Sequence, residues 1–76
     1  MAEQAQAAGG LLAIVVNGEA RQAQGQTLAA LLDELGYGDQ KVATAVNGAF
    51  VPVRARVATR LESGDEVEVV APRQGG

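Results

Sequence analysis

The sequence predicts an α+β fold, a mixed sheet of about four to five strands covered on one face by one main helix. Three observations carry this expectation. Two Asn-Gly dipeptides, Asn17-Gly18 and Asn47-Gly48, each follow a short run rich in Val, and Asn-Gly is the pair best suited to a type I′ hairpin turn, because both central residues need positive φ. Between them lies one leucine stripe, Leu28, Leu31, Leu32 and Leu35, at the i, i+3, i+4, i+7 spacing of a helix face. Near the end Glu66, Val67, Glu68 and Val69 alternate with the period of a half-buried strand.

Each element follows from its residues. Positions 1 to 10, MAEQAQAAGG, carry almost no large apolar surface to offset the cost of ordering, so a mobile N-terminal extension is expected. The run from Leu11 to Val16 is the first strand, and Asn17-Gly18 returns the chain into a polar second strand near Glu19 to Gln24, expected at a sheet edge with one face in water. Thr27 stands before the leucines as a hydroxyl N-cap. Gly36 follows Leu35 and stops the helix by taking the left-handed position that other residues enter only with strain. After a loop from Tyr37 to Gln40, Lys41 to Val46 alternates through Val42, Thr44 and Val46, and Asn47-Gly48 turns into a return strand, Ala49 to Val53. Pro52 donates no backbone hydrogen bond, which makes that strand short or places it at an edge. An irregular segment is expected next, then a turn at Glu62, Ser63 and Gly64, then a last strand from Asp65 to Ala71.

A hairpin, a helix, a hairpin and a final strand assemble in one economical way. The first and last strands pair in parallel at the centre, the helix covers one face, and the result is the β-grasp. The chain divides into an extension (1–10), a β-grasp domain (11–71) and a flexible tail (72–76). Val67 and Val69 share one parity and face the helix, while Val70 falls with Glu66 and Glu68 on the other side. An exposed apolar patch on that free face signals a partner. Val70 and Phe50 are the candidate contacts.

Composition excludes several function classes. Seventy-six residues, 47% hydrophobic with one Tyr, one Phe and no Trp, build one small aliphatic core. Without Cys or His the chain lacks thiolate nucleophiles, imidazole bases and the usual zinc ligands, so it is not expected to be an enzyme. Glu62, Asp65, Glu66 and Glu68 lack the spacing of a calcium loop and read as a solvated turn and strand face, with no metal bound. A net charge of −3 with six basic residues is not the footprint of a nucleic-acid binder. Arg54, Arg56 and Arg60, interleaved with Ala55 and Val57, read as a mixed, solvated loop. No run approaches a membrane span of about 20 residues and none has the pattern of a signal peptide, and a cytoplasmic protein that binds no membrane is expected.

The tail, APRQGG, ends in the residue with the most backbone freedom to lose on ordering. Gly75 and Gly76 have no side chains to pack, and the dipeptide alone is equally consistent with a plain flexible tail.

Together these segments resemble the ThiS-like sulfur carriers of thiamin biosynthesis, ubiquitin-like proteins of the β-grasp fold. The resemblance rests on VNGE (16–19), TLAALLDELG (27–36), VNGAFVP (46–52), ESGDEVEVVAP (62–72) and the closing QGG. One departure is that Val53 separates Pro52 from Arg54, where the family pattern sets the basic residue directly after proline. The resemblance implies a cosubstrate rather than an enzyme. A ubiquitin-activating-type adenylyltransferase uses ATP to adenylate the Gly76 carboxylate, a persulfide sulfur donor converts it to a thiocarboxylate, and thiazole synthase receives the sulfur. The chain binds no cofactor of its own. Pro72, Arg73, Gln74 and Gly75 deliver the terminus, and five extended residues reach at most about 16 to 18 Å. Two alternatives stay open: a ubiquitin-like protein modifier, and a sulfur carrier for another product such as molybdopterin.

Overall fold

The computed structural model describes residues 10–38 and 40–71, so the expected extension, apart from Gly10, and the expected tail lie outside the described residues. The order of elements is β1 (Leu12–Val16), β2 (Glu19–Ala23), α1 (Leu28–Glu34), β3 (Ala43–Val46), β4 (Ala49–Val51), a 3-10 helix (Val53–Ala58) and β5 (Glu66–Val70). The strands form one five-stranded sheet in the order β2-β1-β5-β3-β4. β1 and β5 run parallel, with Val16 opposite Val67, and the other pairings are antiparallel. This is the β-grasp that the sequence predicts.

Both hairpins turn as their dipeptides require. Asn17 and Gly18 have φ of 50° and 84°, Asn47 and Gly48 of 51° and 85°, the paired positive values of a type I′ turn. β2 and β4 lie at the two edges of the sheet. β4 ends at Val51 because Pro52, with φ −69°, can neither extend the ladder nor oppose the start of a helical turn.

At the front of α1, Thr27 is extended and its Oγ1 accepts a hydrogen bond from the Ala30 N–H at 3.2 Å. At the back, Gly36 has φ +90°, its N–H bonds to the Asp33 carbonyl at 3.1 Å, and the Tyr37 N–H bonds to the Leu32 carbonyl at 2.9 Å. These two bonds make a Schellman ending, which satisfies carbonyls the helix would otherwise leave open. Leu28, Leu31 and Leu32 are buried and Leu35 packs at the margin of the core. They meet Ile14 and Val16 of β1, Val67 and Val69 of β5, Val51 of β4, and Ala23, Val42 and Leu61.

The segment expected to be irregular is ordered. Val53–Ala58 forms a 3-10 helix, and beyond it Thr59 to Leu61 runs back beside the helix entry. There the Leu28 N–H bonds to the Thr59 carbonyl and the Leu61 N–H to the Gln26 carbonyl, both at 2.9 Å. Arg56 also departs from the solvated loop expected of it. Its Nε donates to Thr44 Oγ1 at 3.2 Å and its Nη2 to the Val42 carbonyl at 2.5 Å. Thr44, buried in β3, in turn donates to the Val51 carbonyl at 2.9 Å. A hydroxyl buried under the helix side of the sheet is tolerated because it has partners on both counts. Arg54 and Arg60 are exposed. No helix among the described residues is long and apolar enough to cross a membrane.

Candidate functional site

The candidate site is the sheet face opposite α1, where β5 leads toward the tail. Alternation along β5 is strict: Val67 and Val69 are buried while Glu66, Glu68 and Val70 are exposed. Directly opposed residues in a sheet share a face, so the register fixes what surrounds them. Phe50 of β4, Ala45 of β3 and Glu68 of β5 form one cross-strand row, and Ala43 and Val70 form the next row toward the tail. Val15 of β1 lies opposite Glu66.

Phe50 is 69% exposed and Val70 61% exposed; Leu11, Val53 and Val57 are exposed too, and what sets Phe50 and Val70 apart is that they stand in adjacent rows of one sheet face. The alanines between them leave the backbone low. A shallow, mainly apolar depression of about 300 Å³ lies beside Val70, lined by Lys41, Val42, Ala43 and Val70. The structure therefore brings the two predicted contacts, Val70 and Phe50, to one face in neighbouring rows, with Glu66 and Glu68 beside them. Pro72, Arg73, Gln74, Gly75 and Gly76, the rest of the predicted site, lie outside the described residues.

Two residues that sequence reading used only as turn formers hold the strand that carries this site. Asn17 aims its side-chain amide at Val69: Oδ1 accepts from the Val69 N–H at 2.9 Å and Nδ2 donates to the Val69 carbonyl at 3.2 Å. Asn47 does the corresponding work at the other end of β5. Its Oδ1 accepts from the Glu66 N–H at 2.9 Å and its Nδ2 donates to Asp65 Oδ1 at 3.0 Å. Asp65 Oδ2 also accepts from the Glu62 N–H at 2.8 Å, closing the turn before the strand. The acidic run thus has a structural use for one carboxylate, and among the described residues no three Asp or Glu side chains converge as a metal site.

A second, more polar depression of about 260 Å³ is lined by Val16, Asn17, Glu19, Arg21, Leu35 and Tyr37. It holds none of the predicted site residues. Away from both, Glu34 at the end of α1 reaches back to the loop after β2. Hydrogen bonds from the Gln24 and Gly25 N–H groups hold its carboxyl below its ordinary range, against a small opposing effect of burial.

The sequence and the fold both have counterparts among known proteins. The model of the ThiS family matches residues 13–76. Over 66 residues the chain is 42% identical to the sulfur carrier protein ThiS of Thermus thermophilus, an alignment covering 80% of this chain and 95% of that one. Over 64 residues it is 39% identical to a thiazole synthase of Paramagnetospirillum magneticum, covering 83% of this chain but only 20% of that protein's length. A crystal structure of a thiamine biosynthesis protein, ThiS, from Geobacter metallireducens superposes with a TM-score of 0.73 at 28% identity, covering 86% of this chain and all of that one.

Proposed function

Because this chain belongs to the ThiS family, we propose that it is a sulfur carrier for thiamin biosynthesis, a cosubstrate whose one reactive group is the Gly76 carboxylate. The observation that carries the reading is the extent of the family match, which runs through Gly75 and Gly76. The match to one fifth of a thiazole synthase supports the thiazole branch over other sulfur-containing products.

The chemistry follows from the terminus. A free α-carboxyl has a pKa of about 3.3 to 3.7, so at neutral pH it is an anion and a poor electrophile. Activation inverts this. A carboxylate oxygen attacks the α-phosphorus of ATP within a separate adenylyltransferase, the bond to pyrophosphate breaks, and an acyl-adenylate forms. The outer sulfur of a persulfide then attacks the carbonyl carbon and AMP leaves. A thiol cleaves the resulting S–S bond, becoming a mixed disulfide with the donor, and Gly76 is left as a thiocarboxylate ready to give its sulfur to thiazole synthase. The body supplies docking: the face bearing Phe50 and Val70 presents apolar surface beside Glu66 and Glu68, which suits an enzyme surface with an apolar centre and cationic rim.

Deleting Gly76 tests the proposal. Gly75 would carry an equally acidic carboxylate, but the terminus would lie about 3.5 Å short, whereas reacting atoms must come within about 3 to 3.5 Å. ATP–pyrophosphate exchange with the activating enzyme should fall by orders of magnitude while the thermal melt is unchanged. Protein taken from its own cells should also contain a fraction heavier by the mass of sulfur less that of oxygen. Exchange at the parent rate by the shortened chain would remove Gly76 from the chemistry.

A further inference from the structure

We propose that Asn17 is a positioning residue for the terminal reaction: by clasping both backbone groups of Val69 it fixes the point and direction from which the chain leaves the sheet toward Gly76. This rests on the carrier reading above and adds to it a residue far from the terminus in sequence.

β1 supports β5 only part of the way. The Val15 N–H bonds to the Asp65 carbonyl at 3.0 Å and the Asn17 N–H to the Val67 carbonyl at 2.9 Å, after which β1 turns away at Gly18 toward β2. Val69 would then have no neighbour on that side. The Asn17 side chain takes the place of the missing strand, accepting from the Val69 N–H at 2.9 Å and donating to its carbonyl at 3.2 Å. The parallel ladder is thereby carried one step further, to a residue three positions before Pro72. On the opposite side β3 pairs with Val69 and Val70 through Thr44 and Ala43. Both backbone groups of Val69 point away from β3 and are taken by Asn17, and the last strand stays sheet-like almost to its final described residue, Ala71.

The chemistry of the side chain is matched to this use. Val69 offers one donor and one acceptor, and only a primary amide supplies the complement of each from one planar group. An aspartate, an equally good turn former, would set a carboxylate oxygen against the Val69 carbonyl. Asn47, which has the same turn geometry, holds the beginning of β5 at Glu66 and Asp65, the end remote from the tail. The two turns therefore form an internal control. The base of the tail sets where its reach begins, and productive alignment is sensitive to misplacement on the scale of about 1 Å.

Glycine is compatible with φ near 50° at both positions, so Asn17→Gly and Asn47→Gly each keep the turn and remove only the amide. With the full-length chain and the activating enzyme, Asn17→Gly should lower kcat for ATP–pyrophosphate exchange about tenfold, with KM for the carrier within about twofold of the parent. Asn47→Gly should leave kcat within about twofold. Asn17→Asp, which retains the acceptor for the Val69 N–H, should fall between. Independently of any partner, amide exchange at Val69 should speed at least about tenfold in Asn17→Gly while Val67 keeps its protection. Parent-like kcat in Asn17→Gly, or equal losses in the two glycine variants, would overturn the proposal while leaving the carrier reading intact. If the parent itself supported no exchange, the carrier reading would fall and this assignment with it. Unchanged protection at Val69 would show that the amide does not hold this residue, and would overturn the proposal as well.

Discussion

The two faces of the sheet are built from the same strands yet answer to different demands. On the helix side, β5 contributes Val67 and Val69, both buried, and every large side chain finds apolar neighbours from α1, β1 or β4. On the other side the same strand contributes Glu66, Glu68 and Val70, and β4 adds Phe50, all exposed. With one short α-helix among the described residues, a single face is covered, so folding selects residues on one parity and leaves the other exposed. The comparison separates two kinds of consequence: a change on the covered face should cost stability first, and a change on the open face should cost recognition first.

The largest expected effect breaks the covered face. Leu32 is buried between α1 and the sheet, and Leu32→Ala should destabilise the domain by about 2 to 5 kcal/mol, read as a shift in the midpoint of a denaturant melt at unchanged slope. In a small domain that is a large share of the total. A shift near zero would mean that α1 contributes little to the core and that the two faces are less distinct than their burial indicates.

The open face should respond in the opposite way. Val70→Glu adds a carboxylate to the face of Glu66 and Glu68 and removes apolar surface beside the depression at Ala43. Affinity for the proposed activating enzyme should fall about tenfold or more, the effect expected if Val70 is an apolar anchor, while the melt moves little because Val70 is 61% exposed. Phe50→Ala should act in the same direction. A variant that binds as the parent does would remove Val70 from the interface, and one that unfolds would show this face to be part of the core.

What was legible in the sequence tracks how local the causes are. The two hairpins were legible because Asn-Gly dictates positive φ at two adjacent residues, and the assignment of Val67, Val69 and Val70 to faces because a strand has period two. The helix announced both of its ends through Thr27 and Gly36. The 3-10 helix Val53–Ala58 was not legible, since its i to i+3 bonds span too few residues to impose a hydrophobic period. Arg56 looked like a solvated cation because its partners, Val42 and Thr44, lie just before and within β3, more than ten residues earlier in the chain. Asn17 is the extreme case: its partner Val69 lies 52 residues away, and a residue whose turn role was already sufficient gave no sign of a second. Gly25 likewise gave none, yet a Cβ there would lie 2.6 Å from that of Ala30, so the loop passes against α1 at a distance only glycine permits.

The smallest expected effect tests how that loop keeps α1 on the covered face. Glu34 Oε2 accepts from the Gln24 N–H at 2.9 Å and Oε1 from the Gly25 N–H at 3.0 Å, an attachment between the helix end and the exit of β2. A carboxylate at a helix C-terminus is opposed by the helix dipole, but charge-assisted bonds to two amide donors are the stronger influence, which agrees with a pKa lowered below its ordinary 4.5. A pKa depressed by folding stabilises the native state above the unfolded value, and the contribution is lost as pH falls through the folded one. Because Glu34 is exposed, solvent screening limits it to less than about 1 kcal/mol. Glu34→Gln should therefore melt slightly below the parent at neutral pH, since a neutral amide accepts more weakly through its single oxygen. As pH falls below about 4.5 the difference should shrink toward zero, because a protonated Glu34 carries the same charge as glutamine. Taking the difference between the two proteins cancels the titration of the other carboxylates, which both share. A gap that stays constant from neutral pH down to about pH 3 would show that the link acts through side-chain packing rather than charge, and a gap that widens on acidification would reverse the sign of the linkage.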